Sequence, residues 1–191
     1  IRDSCGPDCG CGRYVEIGND VYMQYKKTAA GYEPLANKNV DTGFGLDRLL
    51  AFLNGVTDGY KTDLFMPVIN YLEEKSGKKY DEDEEARKAM RIIADHIRTS
   101  TMLIGDVNGI VPSNVGAGYI LRRLLRRAIR YARKLGVEMT ALTDVSKIFI
   151  EKIYDEAYPL LVEKEDYVIS EIAKETAKFE LSLIHISEPT R

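Results

Sequence analysis

From Gly118 to Leu135 the sequence leaves little choice of local structure. Ile120, Leu121, Leu124, Leu125, Ala128, Ile129 and Leu135 recur at three- and four-residue spacings, the stripe of an amphipathic helix, and Gly136 stands where such a helix stops. A stripe that wide has to be buried, so the chain must fold further helices around it. The opposite side carries Arg122, Arg123, Arg126, Arg127, Arg130, Arg133 and Lys134 with no acid among them. The chain has 27 Lys+Arg against 30 Asp+Glu; with these seven set aside, 20 basic residues face 30 acidic ones. Positive charge is therefore focused on an acidic body. Guanidinium groups repeating every four residues suit phosphates, whereas a solvated face would pair with acids such as Glu163 and Glu165. Seven cations without an interleaved acid favour contact with a polyanion.

The rest of the chain supplies the helices that this stripe requires. Leu46, Leu49, Leu50 and Leu53 predict a helix stopped by Asn54-Gly55. Thr62 or Asp63 is expected to cap a helix with Phe65, Val68, Ile69 and Leu72 inward, ending at Gly77. The acidic run Asp81 to Glu85 suits the positive start of the next helix, whose inner face holds Met90, Ile93, Ala94 and Ile97. Asn108-Gly109 predicts a tight turn or small hairpin, and two further helices are expected near 142–156 and 160–180. Ahead of these, residues 14–25, 32–35 and 39–43 read as three short strands, with Tyr14, Tyr22 and Tyr25 as sheet core.

At 191 residues and 45% hydrophobic, the chain fits one large domain or two small ones, and its composition argues against disorder. No apolar run approaches the roughly 18 residues of a membrane-spanning helix, so no membrane partner is expected. Three cysteines, Cys5, Cys9 and Cys11, are too few and too clustered for a disulfide framework and point to the cytoplasm. They read evenly as a chance turn or as three thiolate ligands lacking a fourth. The start, Ile1-Arg2-Asp3, is expected to lie in mid-domain, and residues 181–191 resemble the translation of a DNA-sequencing adapter rather than native protein; an edge strand is the alternative there. His96, beside Ile93 and Ile97, reads as a hydrogen-bonded structural histidine.

Val40-Asp41-Thr42-Gly43-Phe44-Gly45-Leu46-Asp47-Arg48 joins a strand to a helix through two glycines that let a ligand approach the backbone. Arg48 stands one turn into that helix, placed to meet phosphate, and Asp41 suits an ammonium group. This segment resembles motif 3 of the class II aminoacyl-tRNA synthetases. Val15 to Tyr25, Thr62-Asp63-Leu64-Phe65, Arg91 to Arg98, and Pro112-Ser113-Asn114 leading into Gly118 to Arg123 narrow the resemblance to the alanyl-tRNA synthetase family, in order, from about Cys9 to Phe179.

The resemblance implies an α+β chain: the end of an antiparallel-sheet catalytic domain over 1–57, then an all-α tRNA-recognition domain over 58–180. It implies that Asn19 and Asp41 hold the alanine amino group, that Gly43 and Gly45 line the adenylate pocket, and that Arg48 contacts ATP. Asn114 would approach the wobble G·U pair of the tRNA(Ala) acceptor stem, and Arg122, Arg123, Arg126 and Arg127 are candidates for stem phosphates. No catalytic nucleophile is expected. Implied partners are alanine, ATP and tRNA(Ala), with Mg²⁺ on the phosphates and zinc in an editing domain outside this chain. Three positions depart from the family pattern: Gly18 for a usual Trp, Ala117 for a usual Arg, and Asp47 for a usual Glu. Motifs 1 and 2 lie outside the chain, so an inactive segment of an alanine–tRNA ligase is expected. The rival readings are a non-catalytic RNA-binding helical module and a zinc adaptor centred on the cysteines.

Overall fold

A computed structural model describes the backbone of residues 5–187 and the side chains of 5–182. The chain divides into two compact units, Ile1–Thr62 and Asp63–Arg191.

The first unit is a hairpin closed by a helix. Strands β1 (Gly18–Thr28) and β2 (Gly31–Phe44) pair antiparallel around Ala29-Ala30, with Gly31 at φ 125°, where an L side chain is strained. Thr28 Oγ1 donates to the Gly31 carbonyl at 3.0 Å and to Glu33 at 3.1 Å, pinning the turn. The expected second and third strands are one: Pro34 pairs with Tyr25 inside β2, because a two-stranded ribbon leaves its outer edge free of ladder bonds. The register breaks once, where residues 35–38 stand opposite Gln24 alone. Tyr14, Tyr22 and Tyr25 are exposed rather than core, since a two-stranded ribbon buries neither face by itself. Helix α1 (Leu46–Leu53) follows, stopped at Asn54, with Gly55 at φ 65°.

The second unit is all helix among its described residues: α2 (Met66–Ser76), α3 (Glu84–Gly105), α4 (Gly116–Leu135), α5 (Thr140–Ile148) running into a π-helical turn over Phe149–Ile153, α6 (Pro159–Glu163) and α7 (Glu165–Ser187). Asp83 caps α3 by accepting from the Ala86 amide at 2.9 Å, with Glu84 and Glu85 in the first turn. Neither Thr62 nor Asp63 caps α2; Phe65 stands at that position, while Thr62 closes a 3₁₀ turn over Gly59–Lys61. Gly77 and Gly136 end α2 and α4 in the left-handed conformation. Asn108-Gly109 forms a turn after α3, with Gly109 bonding back to Asp106, and no hairpin.

The core lies where α3 packs along α4, with α5 and α7 across them. Met90, Ile93, Ala94, Ile97 and Ile104 of α3 meet Leu121, Leu125, Ala128 and Ile129 of α4, all at most 1% exposed. Burial of such side chains contributes about 1.5–3 kcal/mol each. Phe149 seals one end, edge-on to Phe65 and stacked on Tyr154. Two of the expected apolar positions of α4 fall outside this core: Ile120 is 51% exposed and Leu124 half-buried. Helix α7 continues through Leu181 to Ser187, where the alternative reading expected an edge strand, and Glu188–Arg191 lie outside the described residues.

Candidate functional site

In the hairpin, register decides which side chains meet. Asn19 pairs with Gly43, and Val21 with Asp41, so Asn19 and Asp41 are diagonal neighbours on one face. Gly43 leaves open space opposite Asn19, since nothing lies within 4 Å of where its Cβ would stand. The Thr42 hydroxyl donates to Asp20 at 2.9 Å on the other face. Gly45 donates its amide to the Ile17 carbonyl, and Arg48 folds beside it, donating to the Glu16 carbonyl at 3.1 Å. Gly18 is covered by the ring of its partner Phe44, which a Cβ at 18 would strike. Phe44 thus occupies the space next to Gly18.

A cavity of about 710 Å³ opens in the same unit, lined by Arg13, Ile17, Asp47, Arg48, Phe52 and Val56 among others. Of the ligand-binding residues expected from the sequence, it takes in only Arg48; Asn19, Asp41, Gly43 and Gly45 are not in its wall.

In the helical unit the loop before α4 is locked. Ser113 bonds the Gly118 carbonyl through its amide and the Val115 carbonyl through its hydroxyl, while Gly116 turns the chain at φ 57°. A Cβ on Gly118 would stand 2.5 Å from the Val111 carbonyl oxygen, so only glycine fits without displacing backbone. The loop presents Asn114, exposed, with its Oδ1 accepting from Arg122. An amide so engaged keeps its NH₂ and one lone pair on Oδ1 for further hydrogen bonds.

The arginines of α4 divide into two groups. Arg122 and Arg126 donate through Nε to one carboxylate oxygen of Glu175 on α7, at 3.1 and 2.9 Å, and Glu175 is only 4% exposed. The acids that pair with this helix are not the expected Glu163 or Glu165 but Glu175 and, 3.8 Å from Lys134, Glu85. Arg123, Arg127 and Arg130 are exposed, and with Arg126, Ile120, Leu124, His96 and Phe179 they line a groove of about 470 Å³. The Arg126 guanidinium lies 5.3 Å from the centre of the Phe179 ring.

His96 forms part of the groove wall. Its Nδ1 is 2.8 Å from Asp95 Oδ2, and its Nε2 is buried without a hydrogen-bond partner. The hydrogen bond to His96, with the charges of Arg98 and Arg127, holds the Asp95 carboxyl below the usual carboxylate range. Glu175 and Phe179 are residues that sequence reasoning did not single out, and Arg130 was named only as part of the basic run. Glu175 and Phe179 become neighbours of α4 only through packing.

Cys5, Cys9 and Cys11 converge in the first unit, their sulfurs all within 4.8 Å of one another. No described helix is long and apolar enough to cross a membrane.

A family model described as tRNA synthetases class II (A) matches residues 4–185. The chain is 46% identical over 182 residues to an alanine–tRNA ligase of Borrelia hermsii, covering 95% of the chain and 30% of that protein. It is 45% identical over 177 residues to the alanine–tRNA ligase of Treponema pallidum, covering 92% and 29%, and 40% identical over 183 residues to that of Desulfitobacterium hafniense, covering 95% and 21%. The chain thus spans less than a third of the length of these relatives.

Proposed function

The chain belongs to the class II (A) tRNA synthetases, and on that premise we propose that it is a stretch of an alanine–tRNA ligase. In the whole protein a carboxylate oxygen of alanine attacks the α-phosphorus of ATP. The bond to pyrophosphate breaks and alanyl-adenylate forms. A hydroxyl of the terminal adenosine of tRNA(Ala) then attacks the acyl carbon and releases AMP.

The observation that carries this reading is the juxtaposition across the hairpin. Asp41 and Asn19 share one face, with Gly43 across from Asn19, the arrangement that a small ammonium compound needs: a carboxylate, an amide oxygen and room for backbone approach. Gly45 and Arg48 follow at the strand-to-helix junction; one N–H of the guanidinium donates to the Glu16 carbonyl, and its further N–H groups suit phosphate. None of these groups is a nucleophile, so positioning and electrostatics account for the chemistry. Mg²⁺ supplies phosphate neutralisation in such reactions. Such an ion is held by one or two carboxylates together with the phosphates of the substrate itself. We propose that the chain by itself is inactive; alanine-dependent pyrophosphate exchange by it would overturn that.

In the helical unit we assign Asn114 to the wobble G·U pair of the acceptor stem and the outward arginines Arg123 and Arg127 to its phosphates, with Arg130 added by the groove. Arg122 and Arg126 keep the role of phosphate ligands through the N–H groups that Glu175 does not take. A minor-groove wobble pair suits an amide, which donates and accepts. Filter binding to two acceptor-stem hairpins, one with G·U and one with G·C at that pair, tests this. Preference for G·U that disappears in Asn114→Ala supports it, and equal binding of both stems by the unaltered chain contradicts it. The cationic groove lies wholly in the helical unit, which also favours a second reading, an RNA-binding module without catalysis. A native gene that continues upstream into a motif 2 arginine excludes that second reading. Sequencing the same gene past residue 180 tests our proposal that 181–191 are adapter-derived.

A further inference from the structure

We propose that Cys5, Cys9 and Cys11 bind one soft divalent cation, Zn²⁺, and that this ion clips the segment ahead of β1 into place. The sequence alone leaves these residues balanced between chance and purpose; the fold brings all three thiols to one point. Their sulfurs lie within 4.8 Å of one another, and the Cys5 and Cys11 sulfurs are 3.1 Å apart. Zinc–thiolate bonds of about 2.3 Å in tetrahedral geometry place sulfurs about 3.8 Å apart, inside that range. A disulfide would join two of the sulfurs and leave the third without a role, whereas a cation uses all three.

The backbone is shaped for this convergence. The Cys9 amide bonds back to the Gly6 carbonyl at 3.0 Å, which turns Cys5 and Cys9 toward each other. Gly12 at φ 80° reverses the chain directly after Cys11. Arg13 follows directly, its side chain near Cys5 and its main-chain N–H near Cys11. Such outer donors orient thiolate ligands, and one guanidinium balances the single negative charge of a Zn²⁺ with three thiolates. Soft sulfur donors select zinc over Mg²⁺ or Ca²⁺. Cys11 is exposed, so the fourth position is open to water. The role is structural, because Gly12 and Arg13 form one wall of the 710 Å³ cavity that also holds Arg48. A fixed loop at 5–13 holds that wall.

The test uses the chain purified under reducing conditions without a polyhistidine tag. Elemental analysis is expected to find about one zinc per chain, and replacement by Co²⁺ to give an intense thiolate-to-cobalt charge-transfer band. Zinc is expected to slow alkylation of the three thiols at least tenfold, with a chelator restoring the rate. Cys9→Ser is expected to lose the metal and the band while the helical circular dichroism stays unchanged, since the helical unit does not contain the cluster. Zinc below a tenth of an equivalent with no cobalt band, in a chain whose helical signal is intact, overturns the proposal. So does alkylation at the same rate with and without zinc, or full zinc retention in both Cys9→Ser and Cys11→Ser.

Discussion

The two units bury their apolar residues in opposite ways. In the helical unit Met90, Ile93, Leu121 and Ile129 are sealed from solvent, while in the hairpin Tyr22, Tyr32 and Phe44 are 73%, 74% and 59% exposed. A helix bundle closes on itself because each stripe finds another stripe, whereas a two-stranded ribbon has two faces and covers neither. Stability is therefore concentrated in α3, α4, α5 and α7, and the hairpin presents exposed side chains on a surface that stabilises little.

The sharpest way to break that contrast is Phe149→Ala, which removes a fully buried ring touching Phe65 and Tyr154. It should cost about 3–5 kcal/mol in denaturant unfolding followed by helical circular dichroism. Glu175→Gln should cost about 2 kcal/mol, because a buried carboxylate that balances Arg122 and Arg126 is lost. Gly118→Ala should cost about 1–3 kcal/mol and, by displacing the loop that carries Asn114, weaken any RNA preference by more than its stability loss explains.

A smaller effect depends on pH. The Tyr80 amide, donating at 2.7 Å, and Lys79 hold the Glu73 carboxyl below its ordinary 4.5. A depressed folded value means that the contribution is complete above about 4.5 and is lost as pH falls through the lower folded value. Glu73→Gln should therefore flatten the acid limb of the stability curve, while the unaltered chain loses stability there. Smallest of all, Tyr22→Ser on the hairpin should change stability by no more than about 0.5 kcal/mol. A loss above 2 kcal/mol would mean that the hairpin is covered after all.

The same contrast explains what was readable beforehand. The stripes of α3 and α4, the Asp83 cap region and the Gly77 and Gly136 stops follow from local periodicity and turn chemistry, so they were legible. The single long β2 was not, because Pro34 and the irregularity at 35–38 mimic a strand end. Asp41, Gly43 and Arg48 could be picked out as residue types at a junction, but their placement with Asn19 depends on a register set by the turn at Ala29-Ala30. Glu175 was invisible because nothing in a sequence reveals which acid on α7 two arginines of α4 will share.

The most direct measurement is the salt dependence of acceptor-stem binding by the intact chain, with neutral replacements in either unit. The helical unit is expected to carry the phosphate contacts. Arg123→Gln, Arg127→Gln and Arg130→Gln should each lower the slope of log affinity against log salt by about one. Lys26→Gln and Lys27→Gln on β1 should leave it unchanged. Equal effects from the hairpin lysines, or a slope indifferent to the three arginines, would contradict the division of labour between the two units.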